Sequence, residues 1–323
     1  MLQQTQVAAV VPYYERFLAR FPSLESLATA PVEDVLALWS GLGYYRRARL
    51  LHAAARAAHG LGGFPDNAAA LAELPGFGPY TAAAVASFAF GEDVPLVDGN
   101  VARVLARLFG WRGDVDEARK AAWDAAPALI TPKMGPAINE ALMELGATVC
   151  TPRSPSCSPC PLGFVCAARK LGQTEEIPAP RPKKKKPPLD VACVVSERRG
   201  AVLLAQRKEG GLFGGLWEPP GTLLEGAHDR ANAERLLRSS LRSMGFTLGA
   251  IDKKTRVLRE LTHRSLSYYV HRAATTGTMR PNAAYVSARW VALDEVASLG
   301  MASAAVAALR AGGVAVETKR SAR

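Results

Sequence analysis

At 323 residues, the chain is long enough for two domains of ordinary size, each with its own hydrophobic core. A content of 49% hydrophobic and 21% charged residues is typical of a globular protein and excludes a disordered or fibrous one. Forty Lys and Arg residues against 29 Asp and Glu give a net charge of +11, which favours a polyanionic partner, with nucleic acid as the first candidate. No apolar run approaches the roughly 20 residues of a membrane-spanning helix, and Met1–Gln4 lacks the basic start of a signal peptide, so we expect a cytoplasmic or nucleoid-associated protein with no membrane partner.

The first 149 residues show helical spacing of apolar side chains, interrupted by glycine and proline, and no strand pattern. We therefore predict an all-α region over residues 1–149. Within it, the stretch Leu74–Asp98 begins with Leu-Pro-Gly-Phe-Gly-Pro-Tyr-Thr, a glycine turn that opens a helix. Gly76 and Gly78 let the backbone turn sharply and approach another molecule, and free N–H groups at the helix start can hold a phosphate. An ordinary corner between two helices is the alternative.

A helix is also predicted directly after Asp98. Its apolar positions Val101, Val104, Leu105 and Leu108 share one face, while Arg103 and Arg107 lie on another. Asp98 stands just ahead of the first turn, where a carboxylate commonly caps the helix.

Four of the five cysteines form the pattern C-x6-C-x2-C-x5-C, comprising Cys150, Cys157, Cys160 and Cys166. Four thiolates this close in sequence can bind one zinc ion or an iron–sulfur cluster. Zinc sites usually pair two C-x2-C units, and only one is present here, so a four-iron cluster held within residues 150–170 is the better fit. Cys193 lies in a strand-like run and is expected to pack in a core.

A linker over residues 171–188 follows, rich in proline and containing Lys183–Lys186, and we expect an extended, solvated connector. From residue 189 to 311 the pattern changes to an α+β region, and residues 312–323 form a basic tail. The short β-like runs are Val191–Val195, Val202–Leu204, Val257–Leu261, Leu266–Val270 and Trp290–Ala292, with a helix over Asn232–Met244.

Taken in order, Leu74–Gly78, Val97–Val101 and the four cysteines resemble the helix-hairpin-helix DNA glycosylases that carry a [4Fe–4S] cluster. Met1–Val7, Gly41–Tyr45 and the second domain narrow the resemblance to the MutY-type adenine DNA glycosylases over residues 1 to about 310. The resemblance implies an all-α helix-hairpin-helix domain with an iron–sulfur cluster loop, followed by a Nudix-like lesion-recognition domain. It also implies a monomeric base-excision-repair enzyme that removes adenine mispaired with 8-oxoguanine or guanine in double-stranded DNA.

The chemistry of that reaction agrees with the residues present. A base inside a duplex must be flipped out before it can be excised. Cleavage of the N-glycosidic bond builds positive charge on the sugar, which a carboxylate such as Asp98 can stabilise or trap. The alternative is that Asp98 only caps the helix and takes no part in the reaction.

By the same resemblance, Tyr80 lies beside the sugar and Glu140 contacts the adenine. Gln4 and Tyr44 resemble the side chains that are inserted into the base stack, although core packing is the alternative for one of Tyr44 and Tyr45. Tyr80 stands where bifunctional relatives have a lysine that forms a Schiff base. We therefore expect a monofunctional enzyme with no efficient strand cleavage.

The second domain resembles a Nudix fold without its metal-binding carboxylates, because Arg238–Gly245 reads Arg-Ser-Ser-Leu-Arg-Ser-Met-Gly. The lesion-recognition loop of the family is matched by Leu261, Thr262 and His263, where the expected aromatic residue is a leucine. Thr262 and His263 keep hydrogen-bonding groups for the lesion. For His263, a simple surface residue is the alternative.

The catalytic acid of the family is a glutamate two residues before the Met that matches Met1. Either the true start lies upstream of Met1, which we favour because Asp98, Tyr80, the glycine turn and all four cysteines are intact, or this is a shortened form. As given, the chain is expected to bind DNA poorly, fold marginally and excise slowly. A non-catalytic iron–sulfur protein that binds lesions is accordingly the alternative function.

Overall fold

The structure, a computed structural model, describes residues 1–2, 5–180 and 186–316. The chain divides into two compact units: unit 1 is Met1–His52 with Lys185–Arg323, and unit 2 is Ala53–Lys184. Helix α4 (Tyr45–Gly60) carries the chain from the one into the other. The predicted domain boundaries lie after residues 149, 170, 188 and 311. A division into compact units does not show which segments fold independently, so these boundaries stay predictions.

Unit 1 begins with three helices whose apolar side chains enter the same core as the later strands. Val10, Tyr13 and Phe17 are buried along one side of the first helix, and Trp39 is 1% exposed at the end of the third. A serine capping box, Ser23 with Ser26, starts the second. The bounds are α1 Val7–Arg20, α2 Leu24–Ala28 and α3 Val32–Trp39.

The remainder of unit 1 contains two four-stranded sheets with helices. One sheet has the order β5-β1-β7-β6, in which β1 and β7 are parallel and the other pairs antiparallel; in the other, β3 pairs antiparallel with β2, β4 and β8. The strands are β1 Pro188–Val195, β2 Glu197–Arg198, β3 Ala201–Arg207, β4 Trp217–Glu218, β5 Gly221–Leu224, β6 Phe246–Glu260, β7 Ser265–Gly277 and β8 Tyr285–Ala292. The helices are α11 Gly226–Ala231, α12 Ala233–Ser243 and α13 Ser303–Ala311. The α+β prediction is confirmed, and each predicted β-like run falls on one of these strands except that β6 ends one residue before Leu261.

Cys193 is fully buried in β1, which confirms its place in a core. Burial, and next to it the charge of Glu218, raises the pKa of this thiol far above its ordinary value.

Unit 2 is helical. Its helices after α4 are α5 Ala68–Ala72, α6 Pro79–Phe90, α7 Gly99–Phe109, α8 Val115–Ala125, α9 Gly135–Glu144 and α10 Ala167–Lys170, with a 3₁₀ turn at Ala126–Leu129 and a π-helical turn at Leu145–Val149. The described residues before Pro188 form no strand, which confirms the all-α prediction. None of the helices in the described ranges is long and apolar enough to cross a bilayer.

The connector is described only up to residue 180 and from residue 186. Its described ends are held in place, which differs from a freely solvated run. Ile177 is 3% exposed, and Ala179 donates its N–H to the Gly113 carbonyl at 2.8 Å. Lys186 donates to Glu260 at 3.2 Å and to the Leu261 carbonyl at 2.6 Å. Lys183–Lys185 lie outside the described residues.

Candidate functional site

The glycine turn leads directly into α6. Gly76 has a φ of 83°, a left-handed conformation that glycine adopts without strain. Gly78 has ordinary extended dihedrals, so its backbone conformation does not require glycine. A β-carbon placed there would also meet no atom within 4 Å, so the space in front of this residue is open. The helix begins at Pro79 with no side-chain cap. The turn therefore presents an open, uncapped helix start, as a backbone phosphate would require.

Asp98 is the N-cap of α7, the role that the sequence left as the alternative to a catalytic one. Its Oδ1 accepts the N–H of Val101 at 2.7 Å, and its Oδ2 accepts the amide of Asn100 at 3.1 Å. Both carboxylate oxygens are therefore held by neighbours that belong to the same helix start. Capping does not exclude a chemical role, because each oxygen retains a further lone pair.

Tyr80, in the first turn of α6, packs against the cluster that contains Val97 and Val101, which stand on either side of Asp98 in the chain. Burial first, and then the nearby charge of Asp98, raises the pKa of Tyr80 above its ordinary value. The phenol is therefore a neutral hydroxyl at physiological pH. The structure thus brings together the two residues that were predicted to face the sugar.

Asn139, which no pattern in the sequence singles out, holds the segment that leads to Asp98. The side chain is 1% exposed; it donates to Ser87 Oγ at 2.9 Å and to the Val94 carbonyl at 2.8 Å, and it accepts the Leu96 N–H at 3.3 Å. All of its amide contacts are within the interior of unit 2. The adjacent Glu140 is exposed on α9, where it is free to meet a ligand.

Arg103 joins the start of α7 to the chain just before the first cysteine. Its guanidinium donates to Asn100 Oδ1 at 2.9 Å, to the Gly146 carbonyl at 2.7 Å and to the Cys150 carbonyl at 2.8 Å. Because Asn100 in turn donates to Asp98, one hydrogen-bonded chain connects the carboxylate with the cysteine loop.

The π-helical turn makes this connection very close. A β-carbon on Gly146 would lie 2.5 Å from the Asn100 β-carbon, nearer than atoms can pack. Glycine is therefore required at 146, because any side chain would push against the helix that Asp98 caps.

The four cysteines line one small cavity together with Arg107 and Arg169. Burial and the neighbouring thiols of Cys150, Cys166 and Cys160 raise the pKa of Cys157, as expected for sulfurs that lie close together. Among the residues that the structure describes, no three His, Cys, Asp or Glu side chains are grouped as ligands of a single metal ion.

Arg107 organises this loop, although helical spacing alone placed it only on the non-apolar face of α7. It is 2% exposed. Its guanidinium donates to the carbonyls of Ile177 at 2.9 Å, Thr151 at 2.7 Å and Pro152 at 3.1 Å, and to the Cys150 sulfur at 3.3 Å. The acceptors lie more than 40 residues further along the chain, so no local pattern indicates this role.

In unit 1, Tyr44 and Tyr45 have opposite environments. Tyr45 is buried and its hydroxyl donates to the Met301 carbonyl at 2.7 Å, so it is the core residue of the pair. Tyr44 is 37% exposed and has a φ of 51°, a conformation that is rare for a bulky residue and is often found at functional sites.

Arg47 supports the Tyr44 ring through a cation–π contact. Its guanidinium lies 5.1 Å from the Tyr44 ring centroid and 5.6 Å from that of Trp39. It also donates to the Met1 carbonyl at 3.1 Å and to Thr5 Oγ1 at 3.3 Å.

The hydroxyls of Tyr44 and Thr262 are hydrogen bonded, although 218 positions separate them in sequence. His263 is exposed beside Thr262 in the loop between β6 and β7. Gln4 lies outside the described residues. The structure thus forms two groups around predicted site residues. In the Asp98 group of unit 2, Asn100 joins the predicted Tyr80 and Asp98. In the Tyr44 group of unit 1, Arg47 joins the predicted Tyr44 and Thr262.

Two family models match the sequence. The HhH-GPD superfamily of base excision DNA repair proteins matches residues 1–128, and the NUDIX domain matches residues 191–311. The second match agrees with the predicted Nudix-like region, and the first contains Tyr80 and Asp98.

Curated relatives match nearly the whole chain. The adenine DNA glycosylases of rat and human are each 35% identical over 94% of this chain, which covers 68% and 65% of their lengths, and the mouse protein is 36% identical with 68% covered. A solved thermostable thymine-DNA glycosylase is 31% identical over 53% of this chain and 80% of its own, with a TM-score of 0.48. The sequence relatives decide the assignment: the chain belongs to the adenine DNA glycosylase family of base-excision-repair enzymes.

Proposed function

We propose that this protein excises adenine opposite 8-oxoguanine or guanine in double-stranded DNA by hydrolysing the N-glycosidic bond. The observation that carries the proposal is the Asp98 carboxylate, oriented by Val101 and Asn100 next to Tyr80. A fixed negative charge of this kind stabilises the positive charge that develops on the sugar, without needing to reorient during the reaction. The flipped nucleotide would meet it at the entrance to α6, with the open turn at Gly76 and Gly78 contacting the backbone.

Tyr80 supports a reaction that stops at base removal. A neutral phenol supplies no amine, so no Schiff base with the sugar can form at this position. We expect adenine release without matching strand cleavage until alkali is added. Strand breaks appearing at the rate of base release would contradict the monofunctional assignment.

Recognition of the opposite strand is assigned to unit 1. Tyr44 is an exposed planar side chain of the kind that can be inserted into a base stack, and its backbone is in a strained conformation that is often found at functional sites. Thr262 and His263 offer hydroxyl and imidazole groups to the 8-oxoguanine, and Gln4 is proposed as a second inserted side chain.

We assign a [4Fe–4S] cluster to Cys150, Cys157, Cys160 and Cys166. The fit is supported by the four thiols around one cavity and by the Arg107 guanidinium directed at the Cys150 sulfur, because a cation stabilises thiolate ligands. Gly163 fits the same assignment, since a β-carbon there would lie 3.0 Å from the carbonyls of both Cys157 and Cys160. When bound, the cluster cross-links the loop, and Arg103 and Arg107 tie that loop to α7.

The decisive experiment is single-turnover adenine release from a duplex with a central adenine opposite 8-oxoguanine. We expect Asp98→Asn to reduce the rate by about 10³-fold or more, because the amide keeps the size of the side chain and one acceptor for the Val101 N–H, but loses the charge and the acceptor for Asn100. Binding of the same duplex should change little. The matched control is Asp114→Asn, which alters a capping carboxylate of α8 away from the Asp98 group.

Two results would overturn the assignment. An Asp98→Asn variant that releases adenine at the wild-type rate would remove Asp98 from the chemistry. A wild-type chain that binds the lesion duplex tightly but releases no adenine would identify a non-catalytic lesion-binding protein.

A further inference from the structure

Helix α12 contains the first part of Arg238–Gly245, the segment that resembles the metal-binding segment of a Nudix pyrophosphatase but has arginine and serine residues in place of its carboxylates. Its exposed side presents Arg235, Arg238, Ser239 and Arg242 along an open groove. Positions three and four residues apart on a helix share one face, so the three arginines form a single stripe.

The groove is positively charged after its own ion pairs are taken into account. Glu234 is the carboxylate that lines it, and this side chain accepts from Arg238 at 3.1 Å and from Lys254 at 2.8 Å. These two hydrogen bonds lower the pKa of Glu234. The charge of Glu234 is therefore balanced by Arg238 and Lys254. The charges of Arg235 and Arg242 have no carboxylate among the described groove residues to balance them.

The arginines differ in how they are held. Arg238 is anchored, because it also donates to the Leu248 carbonyl at 2.6 Å and to the Gly249 carbonyl at 3.0 Å. Arg235 and Arg242 are exposed, and their guanidinium groups make no hydrogen bond or ion pair within the described residues. Two unpaired guanidinium groups one turn on either side of an anchored one can reach adjacent oxyanions.

We propose that this groove binds backbone phosphates of DNA directly, with Arg235 and Arg242 as the contacts and Ser239 as an additional donor. No aromatic side chain lines the groove within the described residues, so it lacks a surface on which a base could stack. This favours a sequence-independent backbone contact over a free nucleotide. The inference rests on the proposed function, which makes DNA the partner.

The groove is remote from the lesion-recognition loop of the same unit. Arg238 is anchored near the beginning of β6, and Thr262 follows its end. About 11 residue steps of roughly 3.3 Å separate Gly249 from Glu260, or about 35 Å along the strand. If a duplex bound at the loop runs along β6, it extends up to about ten base pairs, at roughly 3.4 Å per step, before it reaches the groove.

Duplex length provides the test. Binding of the full chain to duplexes of about 14 and 40 base pairs with the same central lesion is measured by fluorescence anisotropy, at salt concentrations from about 50 to 200 mM. For the longer duplex, Arg235→Ala/Arg242→Ala should lower the slope of log K against log[salt] by about 1.8 and weaken binding on the order of tenfold. The shorter duplex should show neither change.

The matched control removes two other exposed cations of the same unit, through Arg199→Asn and Lys208→Ala. Asparagine is chosen because Arg199 has a φ of 50°, which asparagine tolerates. Thermal unfolding checks the fold, and Arg235→Lys/Arg242→Lys should keep most of the salt dependence. An unchanged slope in the alanine variant, or an equal loss in the control, would overturn the proposal.

A nucleotide pocket is tested with ADP alone, by calorimetry with the wild-type chain. Micromolar ADP binding that disappears in the double alanine variant would also overturn the proposal, because it would assign the groove to a free nucleotide. Adenine release by the wild-type chain from the shorter duplex tests the proposed function separately. Absent release with an intact length-dependent slope would refute that function alone.

Discussion

A single guanidinium, that of Arg47, contacts the ring of Tyr44 and both Met1 and Thr5. The exposed ring therefore rests on a cation that is itself anchored at two points. Such support reduces the motion of a side chain that we propose to enter the base stack.

We predict that Arg47→Met weakens binding of the lesion duplex by about tenfold, since one cation–π contact and two hydrogen bonds together contribute on the order of 1–2 kcal/mol. Arg46→Met is the control, because it removes an adjacent charge that is exposed. Titration of a labelled duplex measures both. Equal losses would mean that charge, and not the support of Tyr44, is responsible.

Which of the two adjacent tyrosines is buried could not be predicted from the sequence. Local spacing could not decide which of them enters the core, because both have the same chemistry. The decision comes from the backbone at Tyr44 and from the Met301 carbonyl that receives the Tyr45 hydroxyl, 256 positions away.

At the level of elements, α7 connects Asp98, the proposed catalytic carboxylate, with the cysteine loop. Its start was predictable from Asp98 and the apolar spacing that follows, since both are local signals. The burial of Arg107 and the close approach of Gly146 were not, because their partners are distant in sequence.

Gly146→Ala should reduce the rate of adenine release by about 10- to 100-fold, because the added methyl group pushes on Asn100 and small misplacements of a catalytic group are costly. Gly60→Ala is the control, since a β-carbon at Gly60 meets no atom within 4 Å. Single-turnover rates decide the matter. A wild-type rate in Gly146→Ala would show that the helix start tolerates displacement.

Arg107→Lys should destabilise the cysteine loop. A lysine cannot reproduce several directed N–H donors, and each buried carbonyl left without a partner costs about 1–3 kcal/mol. Iron content and visible absorbance of the purified variant should fall, whereas Arg112→Lys, an exposed change nearby, should leave both intact. Full iron content in Arg107→Lys would contradict the organising role.

On the scale of the whole molecule, one buried carboxylate connects the two sheets of unit 1. Glu218 is 2% exposed and accepts from Arg207 at 2.7 Å, Tyr285 at 2.8 Å and Tyr268 at 3.3 Å. Burial first, and then the charge of Glu218, raises the pKa of both tyrosines, so both remain donors at physiological pH.

Glu218→Gln should therefore lower the free energy of unfolding by about 3 kcal/mol, because Arg207 would be left without its charged partner. Glu209→Gln should change it by less than about 1 kcal/mol, since that carboxylate pairs with Arg49 at the surface. Denaturant titration compares the two variants. Similar values would show that the buried network adds little.

The strands and the helical half were predictable because β-branched runs and helical spacing are local properties. The grouping of residues 1–52 with the C-terminal sheets was not, because Val10, Tyr13 and Phe17 carry no sign of which later surface will cover them. Local sequence patterns predict helices and strands well. Which apolar faces pack against each other depends on the complete core, and local patterns do not show it.

The placement of Asp98 at a helix start has a thermodynamic consequence. The hydrogen bonds that orient the carboxylate form when α7 folds, before any DNA is present. The entropy lost in fixing the charged group is thus part of the free energy of folding and does not burden the activation step. If Asp98 acts on the sugar as we propose, fraying of this one helix end would slow catalysis and loosen the fold together, so that conformational stability and turnover are coupled through a single side chain.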